Sequence, residues 1–175
     1  MRIRGRFRWK LVLLALILIM PKADAQESAT IQALATVIPS LTVTGTNNLD
    51  FEEVTPGADK YVNKTTAGLA GEWTIAGPLS AEIDIDFTLP DSIRNPGIAA
   101  MDIGFSDTDA SYEDGSGGGQ VAPAGVLNPN ITNTNNLSAS GTFTIWIGGT
   151  VYPDGTQTGG DYSGDVTLTV TLTGN

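Results

Sequence analysis

The stretch Gly159-Gly160-Asp161-Tyr162-Ser163-Gly164-Asp165-Val166-Thr167-Leu168-Thr169-Val170-Thr171-Leu172 decides the reading of the fold. After Gly164 the chain alternates, with Val166, Leu168, Val170 and Leu172 on one face and Asp165, Thr167, Thr169 and Thr171 on the other. Successive side chains of a strand point to opposite sides, so this is a strand with one apolar and one polar face. Such a strand is not stable alone. It calls for neighbours on both edges and a second layer over its apolar face, which predicts an antiparallel sheet packed as a sandwich or closed into a barrel.

Other segments repeat the pattern. Ile83, Ile85, Phe87 and Leu89 alternate with Glu82, Asp84, Asp86 and Thr88. Phe143, Ile145 and Ile147 alternate with Thr142, Thr144 and Trp146, and Met101, Ile103 and Phe105 share a face. Residues 71–75 read as a strand, residues 61–63 as a weaker one, and residues 49–51 as a short one leading into a Pro56-Gly57 turn. Near the start of the mature chain, Ile31, Ala33, Ala35 and Val37 alternate with Thr30, Gln32, Leu34 and Thr36. Pro39 interrupts that run and Leu41-Thr42-Val43-Thr44 resumes it, which predicts a long first strand that switches between two sheets at the break. Residues 106–123 read as a flexible loop, residues 121–127 as an edge strand broken by Pro123, and residues 128–136 as an asparagine-rich turn. No 3.6-residue apolar period persists, so almost no helix is expected. The prediction is one all-β domain, a Greek-key sandwich of immunoglobulin-like or pilin-like type with about eight to ten short strands; a closed barrel is the alternative.

Ahead of this domain lies an address. Arg2, Arg4, Arg6, Arg8 and Lys10 precede an apolar run over residues 11–20, and Ala23-Asp24-Ala25 follows. These are the parts of a secretory signal peptide, with cleavage expected between Ala25 and Gln26; a bilayer-spanning helix needs about 20 apolar residues. Without residues 1–25 the chain keeps three basic residues (Lys60, Lys64 and Arg94) against eighteen acidic ones, a net charge of −15. A surface of that sign repels nucleic acid and anionic lipid, so neither is expected as a partner, and no membrane insertion is expected after cleavage. There is no cysteine and no histidine. The chain therefore has no disulfide, no thiolate metal site, no thiol nucleophile and no Ser-His-Asp triad.

Three stretches together resemble a known family. Leu41-Thr42-Val43-Thr44, Leu49-Asp50-Phe51 and Thr55-Pro56-Gly57 are similar to the opening "PLTVT…LDFG…PG" of the domain of unknown function DUF4402. Ser138-Ala139-Ser140-Gly141-Thr142 with Ile147-Gly148-Gly149-Thr150 resembles its "ASGT…VGGT" segment, and Gly160-Asp161-Tyr162-Ser163-Gly164 before Val166-Thr167-Leu168-Thr169-Val170 resembles its closing "GTYTGTFTVTV". The likeness runs from about residue 29 to residue 172 and departs where Glu52 stands in place of the glycine of "LDFG". It implies an exported bacterial β-sandwich, similar in style to the spore-coat-U and fimbrial-subunit group, with no recognised activity.

The sharpest local signal is the acidic loop. Asp107, Asp109, Glu113 and Asp114 lie within eight residues ahead of a glycine-rich run, a supply of oxygen ligands suited to calcium. Their spacing is not that of an EF-hand, and charge runs of this kind are usually solvated. Asp84 and Asp86 share the polar face of a strand, where they pair as glycosidase carboxylates would or simply keep that face wet. Trp146, predicted to point outward, is a candidate for stacking on a sugar or for a subunit contact; Trp73 is assigned to the core.

The expected function is that of a non-enzymatic structural or adhesive protein of the bacterial surface, located in the periplasm, on the cell surface or outside the cell. Its expected partners are itself or other surface subunits, joined by strand addition through residues 29–37. The alternative is a secreted module binding carbohydrate or calcium, with calcium the sole cofactor considered. A hydrolase running on carboxylates alone is a third and weaker expectation.

Overall fold

A computed structural model describes residues 27–35, 40–97 and 99–173. The predicted signal segment and its Ala25–Gln26 bond lie outside the described residues, as do Thr36, Val37, Ile38 and Pro39 of the predicted strand break. The chain divides into two units, Met1–Val37 and Ile38–Asn175. In the first, residues 27–35 form no strand and are all exposed, with Ile31 at 91% and Leu34 at 88%. The strand expected over residues 29–37 is therefore absent from those described. Alternation makes a segment able to pair, but a ladder also needs a partner strand.

The second unit is all-β, and no helix occurs among the described residues. Its strands are β1 (Thr42–Asn47), β2 (Lys60–Val62), β3 (Gly71–Ala76), β4 (Glu82–Thr88), β5 (Ser92–Arg94), β6 (Ala100–Gly104), β7 (Ala110–Glu113), β8 (Gly125–Leu127), β9 (Asn133–Asn136), β10 (Thr142–Ile147), β11 (Gly149–Tyr152) and β12 (Thr167–Leu172). They form three sheets ordered β1-β3-β10-β7-β8, β2-β11-β6-β5 and β12-β4-β9, with antiparallel pairing throughout.

The strands with clear alternation form as expected, and their inward residues are the core. Ile75, Ile83, Ile85, Phe143, Ile145 and Ile147 pack in one cluster, which joins the five-stranded sheet to the three-stranded sheet as the two layers of a sandwich. Phe51, Val62, Met101, Ile103 and Val151 form a second cluster on the inner face of the four-stranded sheet, and Phe105 packs against both.

Four expectations are corrected. β12 has a single neighbour, β4, so the strand that decides the fold lies on an edge rather than in the middle of its sheet. Residues 106–123 are not one loop, because β7 runs through them with Ala110 and Ser111 fully buried. The asparagine tract is not all turn either: β9 pairs with β4, aided by Thr134 Oγ1 donating to Asp84 at 2.6 Å. Residues 49–51, read as a strand, are irregular.

Candidate functional site

The acidic loop does not converge. β7 separates Asp109 from Glu113, and an extended strand of four residues spans about 13 Å. Asp107 is exposed and accepts a bond from Asn130 Nδ2 at 2.9 Å. Asp109 is buried, accepting from the Ser106 N–H at 2.7 Å and from the Tyr61 hydroxyl at 3.1 Å. Glu113 closes a glycine loop, taking the N–H groups of Gly115 (2.7 Å), Gly117 (2.8 Å) and Gly119 (3.0 Å). The Gly117 and Gly119 bonds, with that of Gly115, hold its carboxyl below the ordinary glutamate value. Asp114 is held below the ordinary aspartate value mainly by the Ser116 hydroxyl, bonded at 2.5 Å. Glu113 and Asp114 thus fold their own turns, while Asp107 and Asp109 also take bonds from residues far along the chain. Among the described residues no group of three or more acids is gathered to hold a metal ion, and the four carboxylates expected to serve calcium are not brought together.

Trp146 is corrected as well. Alternation does put it on the face of Thr142 and Thr144, yet the ring is only 6% exposed and unavailable for stacking. Both faces of β10 are covered at this end. Trp146 lies opposite Ser111 in the ladder, and its Nε1 and the Ser111 Oγ are both buried without a hydrogen-bond partner. Trp73 is half-buried and packs edge-on against Phe87, ring centres 6.2 Å apart, consistent with its assignment to the core. Asp84 and Asp86 take the hydroxyls of Thr134 (2.6 Å) and Thr132 (2.5 Å), bonds that tie β4 to β9 and its approach.

Two features were not evident from the sequence. The first is a slot along one flank of the sandwich. Trp73 against Phe87 lays β3 over β4, and the next strands outward, β1 and β12, are the free edges of their sheets. Val43 shares the core face of Ile75 but is 36% exposed, and Leu168, Val170 and Leu172 are only half-buried. Next to it an open cleft of about 1190 Å³ separates Gly45–Leu49 from Gly159–Val166, with Trp73, Met101, Ile103 and Val151 in its wall and acidic residues such as Asp50 and Asp165 at its rim.

The second is a shallow dish on the outer face of the four-stranded sheet. Tyr61 pairs with Thr150, which pairs in turn with Gly104, and Tyr152 is two residues beyond Thr150 on the same face. The dish has a volume of about 430 Å³ and is lined by the two tyrosines, Phe105, Ser106, Thr108 and Asp109, among others. The only sequence signal for it was that Tyr61 alternates with the buried Val62.

The backbone bears on the resemblance noted above. Glu52, standing where the DUF4402 pattern has glycine, has φ = 51°, in the left-handed region that glycine occupies without strain. It is held there by its N–H bond to Asp50 Oδ1 at 2.7 Å and by an ion pair with Lys60 at 3.3 Å. No protein-family model matches this chain, and no curated protein matches it either.

Proposed function

We propose that this chain is an exported, non-enzymatic structural subunit of the bacterial surface, of the DUF4402 type and Greek-key topology, which assembles by strand addition. Residues 1–25 act as its signal peptide, and the mature chain works in the periplasm, on the cell surface or outside the cell. One juxtaposition carries the reading: an alternating segment whose described residues form no ladder, in a chain whose sandwich leaves apolar side chains of β1 and β12 partly exposed on two free edges. In the assembly, residues 29–37 of one copy pair with the free edge of β1 in the next. Ile31, Ala33, Ala35 and Val37 then enter the slot and cover the Val43 and Leu168 side chains. Charge favours this occupant. The neighbouring cleft has an acidic rim, so the rest of a chain of net charge −15 is repelled there, whereas residues 28–41 carry no charge at all.

The test is the mass of the protein from residue 26 onward, by size-exclusion chromatography with light scattering. Concentration-dependent oligomers are expected, and they should be lost on deletion of residues 26–38 or on Ile31→Asp. Added peptide of residues 26–40 should then bind the deleted protein. A monomer at every concentration, or oligomers that survive the deletion, would overturn the proposal.

A further inference from the structure

We propose that the dish between Tyr61 and Tyr152 binds a neutral sugar residue, a function separate from assembly and independent of it. Tyr61 is 51% exposed and Tyr152 45%, on one face of the sheet. Exposed aromatic rings supply an apolar surface that a sugar's C–H face can cover while its hydroxyls stay wet. Gly104 makes the hollow. A Cβ there would come within 3.1 Å of the Tyr152 ring, so the bare backbone allows that ring to lie over the strand and wall the dish. About 430 Å³ falls in the range of small-molecule sites, about 300–1,000 Å³.

The rest of the lining is matched to a polyol. Ser106, Thr108 and Thr150 bring hydroxyls that both donate and accept, and the buried Asp109 is also part of the lining. The nearby cation, Lys64, is committed to the Thr108 carbonyl, and with Asp109 in the lining an anionic ligand would meet repulsion. The Tyr61 ring is already oriented: its hydroxyl donates to Asp109, whose other oxygen is fixed by the Ser106 N–H. A wall fixed before binding loses less freedom when the ligand arrives. Burial, followed by the charge and hydrogen bond of Asp109, raises the Tyr61 pKa, so the hydroxyl keeps the proton that makes this bond.

The experiment is two-dimensional NMR of the full mature chain titrated separately with glucose, galactose, mannose and N-acetylglucosamine, with N-acetylneuraminic acid as the anionic comparison. At least one neutral sugar should move the amides of Tyr61, Gly104, Thr150 and Tyr152 with saturation in the millimolar range, and the acid should not. Tyr152→Ala, at an exposed position, should weaken binding at least tenfold while amides outside the dish keep their shifts. Gly104→Ala, which pushes the ring aside, should weaken it several-fold. The proposal is overturned by an absence of localised shifts with every neutral sugar, by binding unchanged in Tyr152→Ala, or by binding of the acid alone.

Discussion

Gly141 and Gly119 have the same backbone angle, φ = 77°, and very different surroundings. Gly141 sits where the Ser138-to-Thr142 turn meets the end of β3, its carbonyl accepting the Gly77 N–H at 2.8 Å. A Cβ on residue 141 would fall 2.2 Å from the Gly77 carbonyl oxygen, a backbone atom locked in that same junction. A Cβ on residue 119 meets nothing within 4 Å. Replacing either glycine by alanine forces a side chain into the left-handed region, at about 1–2 kcal/mol. Gly141→Ala adds the displacement of β3 against β10, about 1–3 kcal/mol for overpacking. Gly119→Ala should therefore lower stability by about 1–2 kcal/mol and Gly141→Ala by about 2–5 kcal/mol. At about 4 °C per kcal/mol for a domain of this size, the two melting temperatures should differ by about 4–12 °C. Urea unfolding of both variants beside the parent, followed by near-ultraviolet circular dichroism, measures the gap at unchanged m-value. Equal losses in the two variants would refute the argument, because only the strain common to both sites would then be acting.

Three further expectations follow from single residues. Ser111→Ala removes a buried hydroxyl that has no partner and should raise stability by about 1 kcal/mol, read from the urea midpoint. Glu52→Gly relieves the left-handed backbone at the loss of one exposed ion pair worth about 0–1 kcal/mol, so thermal melts should show it neutral or stabilised by up to about 1 kcal/mol. Glu113 should titrate below the ordinary glutamate value in a carboxyl-detected NMR pH series, with the Gly117 amide following it. Because that pKa is lowered in the folded state, the carboxylate's contribution is present above the unfolded value and fades as pH falls through the folded one; Glu113→Gln should remove this acid-side dependence.

What could be read in the sequence was whatever alternation controls. β4, β12 and the first part of β10 turn one face to the core, so their patterns carry the inward residues Ile83, Ile85, Phe143, Ile145 and Leu168. β7 and β9 escaped because their pairing is imposed by neighbours. Ala110-Ser111-Tyr112-Glu113 is buried on both sides at its start, and Asn133-Thr134-Asn135-Asn136 contains no apolar residue, being held by the ladder with β4 and the Thr134–Asp84 bond. Tertiary context overrides strand propensity at such places. Trp146 was misread for the same reason, since alternation assigns a face but not what covers it. The carboxylates of the acidic loop looked like one cluster because spacing in sequence hides the extension of β7 between them. The slot and the dish were beyond reach, for each depends on which strands end up on an edge and which lie side by side.

The ladder between β12 and β4 sets Leu172 opposite Ile83, and that between β10 and β3 sets Ile147 opposite Gly71. Pairings so distant along the chain make for slow folding, in the range of milliseconds to seconds, since large loops must close before any contact rewards them. Synthesised from its N-terminus, the chain cannot complete its three-stranded sheet until Leu172 has emerged. The topology itself thus postpones the compact state until β12 is free to pair with β4.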